Sequence, residues 1–212
     1  MKKIGILGSG IVGRTLAHGL KDLGYEVSLG SRNGKSIENW AGKTGTFAEV
    51  VHDADIVILA VKGTIAEDVV HLVAKDLAGK TVIDATNPIA DTPPKNGVLT
   101  YFTSLDESLM ERLQAAAPEA HFVKALNSVG NAVMVQPKFA AGKPTMFICG
   151  NDDTAKVAVS ELLTKLGWEV ADFGTATSAR AIEPLCMLWC IPGMLDNNWT
   201  HAFKLLQQET SN

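Results

Sequence analysis

The sequence predicts an α/β fold built on a mainly parallel, doubly wound sheet. Three observations carry this expectation. Short apolar runs alternate with helix-patterned segments of ten or more residues, the spacing of βαβ units. Right-handed crossovers of that length place helices on both faces of the sheet. The chain has 212 residues with 46% hydrophobic and 20% charged content, which suits one globular domain with a real core.

The elements follow in order. Ile4 to Leu7 is a short apolar run that ends in glycines and reads as the first strand. Ile11 to Leu23 places apolar residues at helical spacing, with Gly24 as its stop. Glu26 to Gly30 reads as the second strand, and a short helix is expected from Ser36 to Ala41. Asp55 to Val61 (DIVILAV) is the clearest buried strand. Ile65 to Ala78 is helical, and Thr81 to Asp84 is a strand. Asn87 to Thr103 contains Pro88, Pro93, Pro94 and Gly97 and reads as a long loop, of the kind that tends to serve function. Leu105 to Ala117 is helical, closed by Pro118. His121 to Ala125 and Thr145 to Cys149 are strands, Asp153 to Leu166 is a helix closed by Gly167, and Glu169 to Phe173 is a last strand. Two helices finish the chain, Ala179 to Cys190 and Leu195 to Gln208, with Pro192-Gly193 breaking them apart. The expected organisation is one domain over residues 1–178 and a C-terminal helical pair over 179–212, packed on that domain or on a partner.

The chemistry begins at Gly8-Ser9-Gly10-Ile11-Val12-Gly13. GxGxxG directly after a strand and opening a helix is the dinucleotide fingerprint of a Rossmann-type fold. Gly8 allows the tight turn, Gly10 admits a pyrophosphate to the backbone, and Gly13 lets helix and strand approach. The helix N-terminus offers free N–H groups and a positive dipole end. Gly8-x4-Gly13-Arg14-Thr15 nearly spells a P-loop, but Arg14 stands where that motif needs a lysine.

An NAD enzyme usually carries Asp or Glu at the end of the second strand, to bond the ribose 2′-hydroxyl. Here the strand runs out as Leu29-Gly30-Ser31-Arg32-Asn33-Gly34-Lys35, with no carboxylate. A hydroxyl, a guanidinium fork and an ammonium suit a 2′-phosphate, so NADP(H) is expected over NAD(H). Ala60-Val61, Thr86-Asn87-Pro88 and Ala125-Leu126-Asn127-Ser128 follow three further strands. In open α/β sheets these carboxyl ends line the ligand crevice. Small groups at Ala60, Val61 and Ala125 leave room for ribose and nicotinamide, and Asn87, Asn127 and Ser128 offer polar contacts beside Pro88.

Together these motifs resemble the NADP-dependent oxidoreductases typified by the coenzyme F420 (deazaflavin)-dependent NADP reductase. They are also similar to the cytosolic NADPH-binding part of the STEAP metalloreductases, within the 6-phosphogluconate dehydrogenase-like superfamily. The matching pieces are KKIGILGSGIVG, LGSRNGK, DIVILAVKG, VIDATNP, FVKALNSVG, TMFICGNDDTAKVAVSELLTKLGWEVADFG and SARAIEPLCMLW. The resemblance implies that Ser9 to Val12 contact the pyrophosphate and that Ser31, Arg32 and Lys35 hold the 2′-phosphate. Val61, Asn87 and Ala125 would border ribose and nicotinamide. It further implies hydride transfer to a flat acceptor of deazaflavin, flavin or quinone type, and a homodimer built through the C-terminal helices. Two other readings stay open: a non-catalytic NADPH-binding or redox-sensing module, and a reductase of small carbonyls or imines. The last kind usually carries a larger helical C-terminal domain, whereas 35 residues follow Thr177 here.

Other classes are disfavoured. A net charge of −4 without a basic tract gives no footprint for nucleic acid. No apolar run approaches the roughly 18 residues that span a bilayer. The apolar run Ile4 to Leu7 is too short for a secretory signal, so a cytoplasmic protein is expected. Three cysteines argue against a disulfide framework. Cys186 and Cys190 lack two further ligands nearby, so they read as buried thiols rather than a metal site. His18, His52, His71, His121 and His201 are scattered, and no catalytic acid or base stands out. Trp168, Trp189, Trp199, Met187 and Met194 read as core or dimer interface.

Overall fold

A parallel strand flanked by crossover helices is covered on both faces, so its residues are apolar at successive positions rather than alternate ones. IVIL of the fourth strand is buried at every position, and β1 is buried from its second residue on. The structure, a computed structural model, describes residues 2–208. Its strands are β1 (Lys3–Leu7), β2 (Glu26–Ser31), β3 (Lys43–Thr46), β4 (Ile56–Leu59), β5 (Thr81–Asp84), β6 (His121–Lys124), β7 (Thr145–Gly150) and β8 (Glu169–Asp172). The helices are α1 (Ile11–Asp22), α2 (Phe47–Asp53), α3 (Ala66–Val73), α4 (Leu109–Ala116), α5 (Asp153–Lys165), α6 (Ala179–Ile182) and α7 (Pro184–Asp196).

The strands form one sheet in the order β3-β2-β1-β4-β5-β6-β7-β8. The first six are parallel, β7 runs antiparallel to β6, and β8 is parallel to β7. The sheet's first six strands stand in the Rossmann-type order, within the mainly parallel, doubly wound sheet that the sequence predicts. The chain moves outward from β1 to β3, then returns to β4 on the other side of β1. The switch point therefore lies between β1 and β4, the place where open α/β sheets of this kind take their ligands. Side chains alternate across the sheet into two cores. Ile4, Ile6, Ile56 and Ile58 join the layer with Leu16, Leu20, Val159 and Leu163 of α1 and α5. Leu7, Val57 and Leu59 join the layer with Val50, Val70 and Leu113 of α2, α3 and α4.

Two expected helices are shorter than their patterns, ending at Val73 instead of Ala78 and starting at Leu109 instead of Leu105, and two expected elements are replaced. Residues 36–41 form turns, with Asn39 at φ +59°, instead of a helix. Trp40 is buried there, its ring edge-on to His18 of α1, so this segment is packed down by tertiary contact. The elements that follow are β3, a short polar edge strand (KTGT), and α2. Thr46 starts α2 through a reciprocal capping box with Glu49. The pattern T-x-x-E before Val50-Val51 was a legible signal for this helix.

The second correction concerns the C-terminus. The chain forms no helix from Asn197 to Gln208, and Pro192-Gly193 does not break α7. Pro192 has no N–H to give to the Leu188 carbonyl, yet the helix runs on through it to Asp196. The helix ends at Asn197, which is left-handed (φ 54°) and donates its N–H to the Gly193 carbonyl. The remaining chain is an extended strap. Its backbone groups are taken by other elements: Trp189 Nε1 donates to the His201 carbonyl at 2.8 Å, Thr145 N–H to the Phe203 carbonyl at 2.9 Å, and Leu205 N–H to Thr145 Oγ1 at 3.0 Å. Because β7 is antiparallel, this strap meets the sheet beside the carboxyl ends of the parallel strands, at the starts of β7 and β8. α7 itself packs on the 87–103 loop through Leu99, Cys186, Trp189 and Cys190.

Candidate functional site

β1 ends at Leu7 and α1 begins at Ile11, so Gly8, Ser9 and Gly10 make the whole connection. Gly8 has φ +133°, and a Cβ there would run into the Ala60 carbonyl. Its N–H donates to the Gly30 carbonyl at 3.1 Å, while Ala60 N–H donates to the Leu7 carbonyl at 2.9 Å. The loop is thereby stitched to the ends of β2 and β4. A Cβ on Gly13 would overlap the Gly8 carbonyl. Gly10 is different. It caps α1 in an extended conformation (φ −71°, ψ −177°), and nothing lies within 4 Å of where its Cβ would stand. The fold itself demands glycine at 8 and 13 but not at 10. An open backbone position at an uncapped helix N-terminus, with no acidic residue in the first turn, fits a pyrophosphate. Ile11 is 59% exposed beside it, and Ser9 and Val12 are half-buried.

At the end of β2, Ser31 Oγ and Lys35 N–H both donate to Asn33 Oδ1 at 3.2 Å. The Asn33 side chain folds this turn on itself. Arg32 and Lys35 are exposed and form no ion pair among the described residues. No carboxylate stands between Ser28 and Ser36, so both cations are available to an anion.

Deeper in the crevice, Ala60 and Val61 are half-buried, and Pro88 and Ala125 are buried. Asn87 and Asn127 form a pair across the ends of β5 and β6. Asn87 Nδ2 donates to the Asn127 carbonyl at 2.8 Å. Asn127 Nδ2 donates to Asn87 Oδ1 at 3.2 Å and to the Ile182 carbonyl at 3.0 Å. Asn127 Oδ1 is buried with no hydrogen-bond partner. Leu126, which turns the chain into this position, is left-handed (φ 61°) and buried. Such a conformation costs about 1–2 kcal/mol for a non-glycine residue. Core packing holds it in place, and its N–H meets Met146 Sδ at 3.1 Å.

A family model described as NADP oxidoreductase, coenzyme F420-dependent, matches residues 3–88. Over nearly its whole length the chain is similar to a crystal structure from Arthrobacter sp. FB24, provisionally described as an F420-dependent NADP reductase. The two are 33% identical with a TM-score of 0.90, covering 98% of this chain and 100% of that one. The chain belongs to the F420-dependent NADP oxidoreductase family. Metalloreductase STEAP3 of Rattus norvegicus is 32% identical over 203 residues, 91% of this chain and 39% of that protein. The chain thus spans about two fifths of that curated relative's length. A Plasmodium falciparum pyrroline carboxylate reductase with NADP bound shares the fold, at a TM-score of 0.57 and 18% identity over 81% of this chain and 57% of that one.

For this NADP oxidoreductase family member, the residues that the sequence reading missed lie under the crevice. Lys124 Nζ is fully buried, 2.6 Å from Asp84 Oδ2 and 2.9 Å from Glu183 Oε1, and donates to the Thr86 carbonyl at 3.0 Å. Burial works against its charge, yet the two carboxylates hold the ammonium above its ordinary value. Asp84 Oδ1 accepts from Thr86 N–H at 2.9 Å and Thr86 Oγ1 at 2.6 Å. Glu183 accepts from the N–H groups of Leu109 and Met110, at 3.0 and 2.9 Å, where α4 begins. A signal existed: Asp84 and Lys124 end two apolar strands, and the parallel register sets them side by side. Glu183 had none, because it arrives from the C-terminal helices. His18 and His201 each meet a backbone carbonyl. His18 Nε2 lies 2.9 Å from the Asn39 carbonyl, and His201 Nε2 lies 3.0 Å from the Trp189 carbonyl.

Proposed function

We propose that this family member transfers a hydride between NADP(H) and a flat, flavin-like acceptor of deazaflavin, flavin or quinone type. One observation carries the reading. The crevice has an open glycine at a helix N-terminus and two cations at the end of β2 that form no ion pair among the described residues, and its reacting end is furnished with amides and small apolar groups. Such a lining suits hydride transfer to a conjugated ring, which needs geometry and exclusion of water more than proton transfer.

Gly8, Ser9, Gly10, Ile11, Val12 and Gly13 present backbone N–H groups to the pyrophosphate. Ser31, Arg32, Asn33 and Lys35 receive the 2′-phosphate. Ala60, Val61, Asn87, Pro88, Ala125 and Asn127 border ribose and nicotinamide. The bound nucleotide supplies the hydride chemistry, and the protein supplies orientation and dryness. The protein works as a homodimer in the cytoplasm. Leu188, Met194 and Leu195 stand exposed on α7, as a dimer face requires, and the three cysteines are free thiols. Among the described residues no helix is long and apolar enough to cross a membrane.

The test is isothermal titration with NADP⁺ and NAD⁺, on wild type and Arg32→Ala. NADP⁺ should bind at least about tenfold tighter, about 1.4 kcal/mol, and the substitution should remove most of that margin. Binding of neither nucleotide would overturn the reading. NADPH consumption with deazaflavin, flavins and quinones then tests the acceptor. Binding without turnover on any acceptor marks a sensing module, and turnover on carbonyls or imines alone marks the other enzyme class.

A further inference from the structure

Three segments meet at the reacting end of the crevice, and one ammonium holds all three. Thr86, whose carbonyl accepts from Lys124 Nζ, immediately precedes Asn87. Lys124, the last residue of β6, lies three residues before Asn127 in the chain. Glu183, whose carboxylate lies 2.9 Å from Lys124 Nζ, directly follows Ile182, whose carbonyl accepts from Asn127 Nδ2. Every hydrogen bond that fixes the Asn87–Asn127 pair is thus anchored within a few residues of the same buried charge.

This arrangement is poorly explained as a device for stability alone. Replacing a buried ion cluster with apolar side chains of similar size is often neutral or stabilising. A buried polar network whose groups each have a specific partner instead favours one arrangement of its elements, and here Lys124 Nζ meets Asp84, Glu183 and the Thr86 carbonyl. Here the Glu183 carboxylate also ties down the first turn of α4, and its backbone carbonyl accepts from Tyr101 Oη at 2.8 Å, on the long loop. The strained Leu126 and the unpartnered Asn127 Oδ1 lie at the point this network holds.

We propose that Lys124 is the positioning residue of the reacting end: acting through Asp84, Thr86 and Glu183, it holds the Asn87–Asn127 pair in register for the nicotinamide ring. The inference rests on the nucleotide-binding reading above. Lys124 touches no cofactor in this scheme. Its effect falls on the nicotinamide half of the crevice and leaves the adenosine half alone.

The experiment uses the full chain and two probes. NADPH reports the nicotinamide end through the emission of its bound ring, and 2′,5′-ADP reports the adenosine and 2′-phosphate end by calorimetry. In Lys124→Met, 2′,5′-ADP should bind within about twofold of wild type, while NADPH weakens at least about fivefold and loses its bound-state emission. Glu183→Gln keeps the side-chain size and should shift the same way; it carries the readout if Lys124→Met does not fold. Unchanged NADPH emission and affinity in the folded variants would overturn the proposal, as would an equal loss of both probes. Wild-type protein that binds 2′,5′-ADP but does not alter NADPH emission would overturn this inference alone. Wild-type protein that binds neither probe would remove the nucleotide reading and this inference with it.

Discussion

Gly10→Ala and Gly13→Ala separate what the glycine loop does for the fold from what it does for a ligand. At Gly10 the backbone is extended and a Cβ would meet nothing within 4 Å. Alanine is a poorer N-cap than glycine, at a cost of up to about 1 kcal/mol. The reduced entropy of the unfolded chain returns about 0.4–1 kcal/mol. The Tm of Gly10→Ala should therefore stay within about 3 °C of wild type. The methyl group nonetheless fills the space through which a phosphate reaches the N–H groups of α1. Losing one charge-assisted hydrogen bond costs about 1.5–3 kcal/mol, or about 10- to 100-fold in Kd. At Gly13 the added methyl overlaps the Gly8 carbonyl, so backbone must shift against backbone. Overpacking of that kind costs about 1–3 kcal/mol, or about 2–10 °C in Tm for a domain of this size. Thermal melts and titration with NADP⁺ check both variants. If Gly10→Ala binds NADP⁺ as wild type does, the pyrophosphate does not sit at Gly10. If it melts as low as Gly13→Ala, the steric account of the loop is wrong.

Two further outcomes follow from the surroundings of single groups. Arg180 grips Glu111 through two nitrogens and, with the Ser108 cap, holds its carboxyl down at about 2. A carboxyl lowered by folding adds stability above its unfolded value of about 4.3, and that stability drains away as pH falls toward 2. Between pH 5 and 2.5, wild type should lose about 1–2 kcal/mol more than Glu111→Gln in denaturant titrations, and parallel curves would refute the role of this pair. All three cysteines are buried, and burial pushes the Cys149 thiol up to about 12. Native protein at pH 8 should leave a thiol-reactive dye untouched, while denatured protein should titrate three thiols. Rapid labelling of the native protein would contradict the packing around α7.

The parts legible in the sequence are those whose cause is local. DIVILAV reads as a buried strand because an uninterrupted apolar run has few other uses in a chain of this composition. The glycine loop and the Ser31–Lys35 turn are legible because backbone freedom and charge are properties of the residues themselves. The expected helix over 36–41 failed because Trp40 is drawn down onto α1, a contact that the local pattern does not encode. KTGT escaped because a four-residue polar edge strand has no apolar period to read. Pro192-Gly193 misled because a proline disfavours a helix without forbidding it, and α7 is held by the tertiary packing of Cys186, Trp189 and Cys190.

Local pattern thus accounts for most of the strands and helices, for the strand–glycine loop–helix unit at the N-terminus and for the expectation of NADP(H) over NAD(H). All of these follow from periodicity, glycine and charge within a few residues. That Asn87 pairs with Asn127, that Lys124 sits between Asp84 and Glu183, and that residues after Asn197 form a strap against α7 and β7 is set by the packed fold. Those features depend on partners that are distant along the chain. A buried polar group takes whichever partner the packed sheet brings within hydrogen-bonding distance, because leaving it unpaired costs more than any local preference can offset.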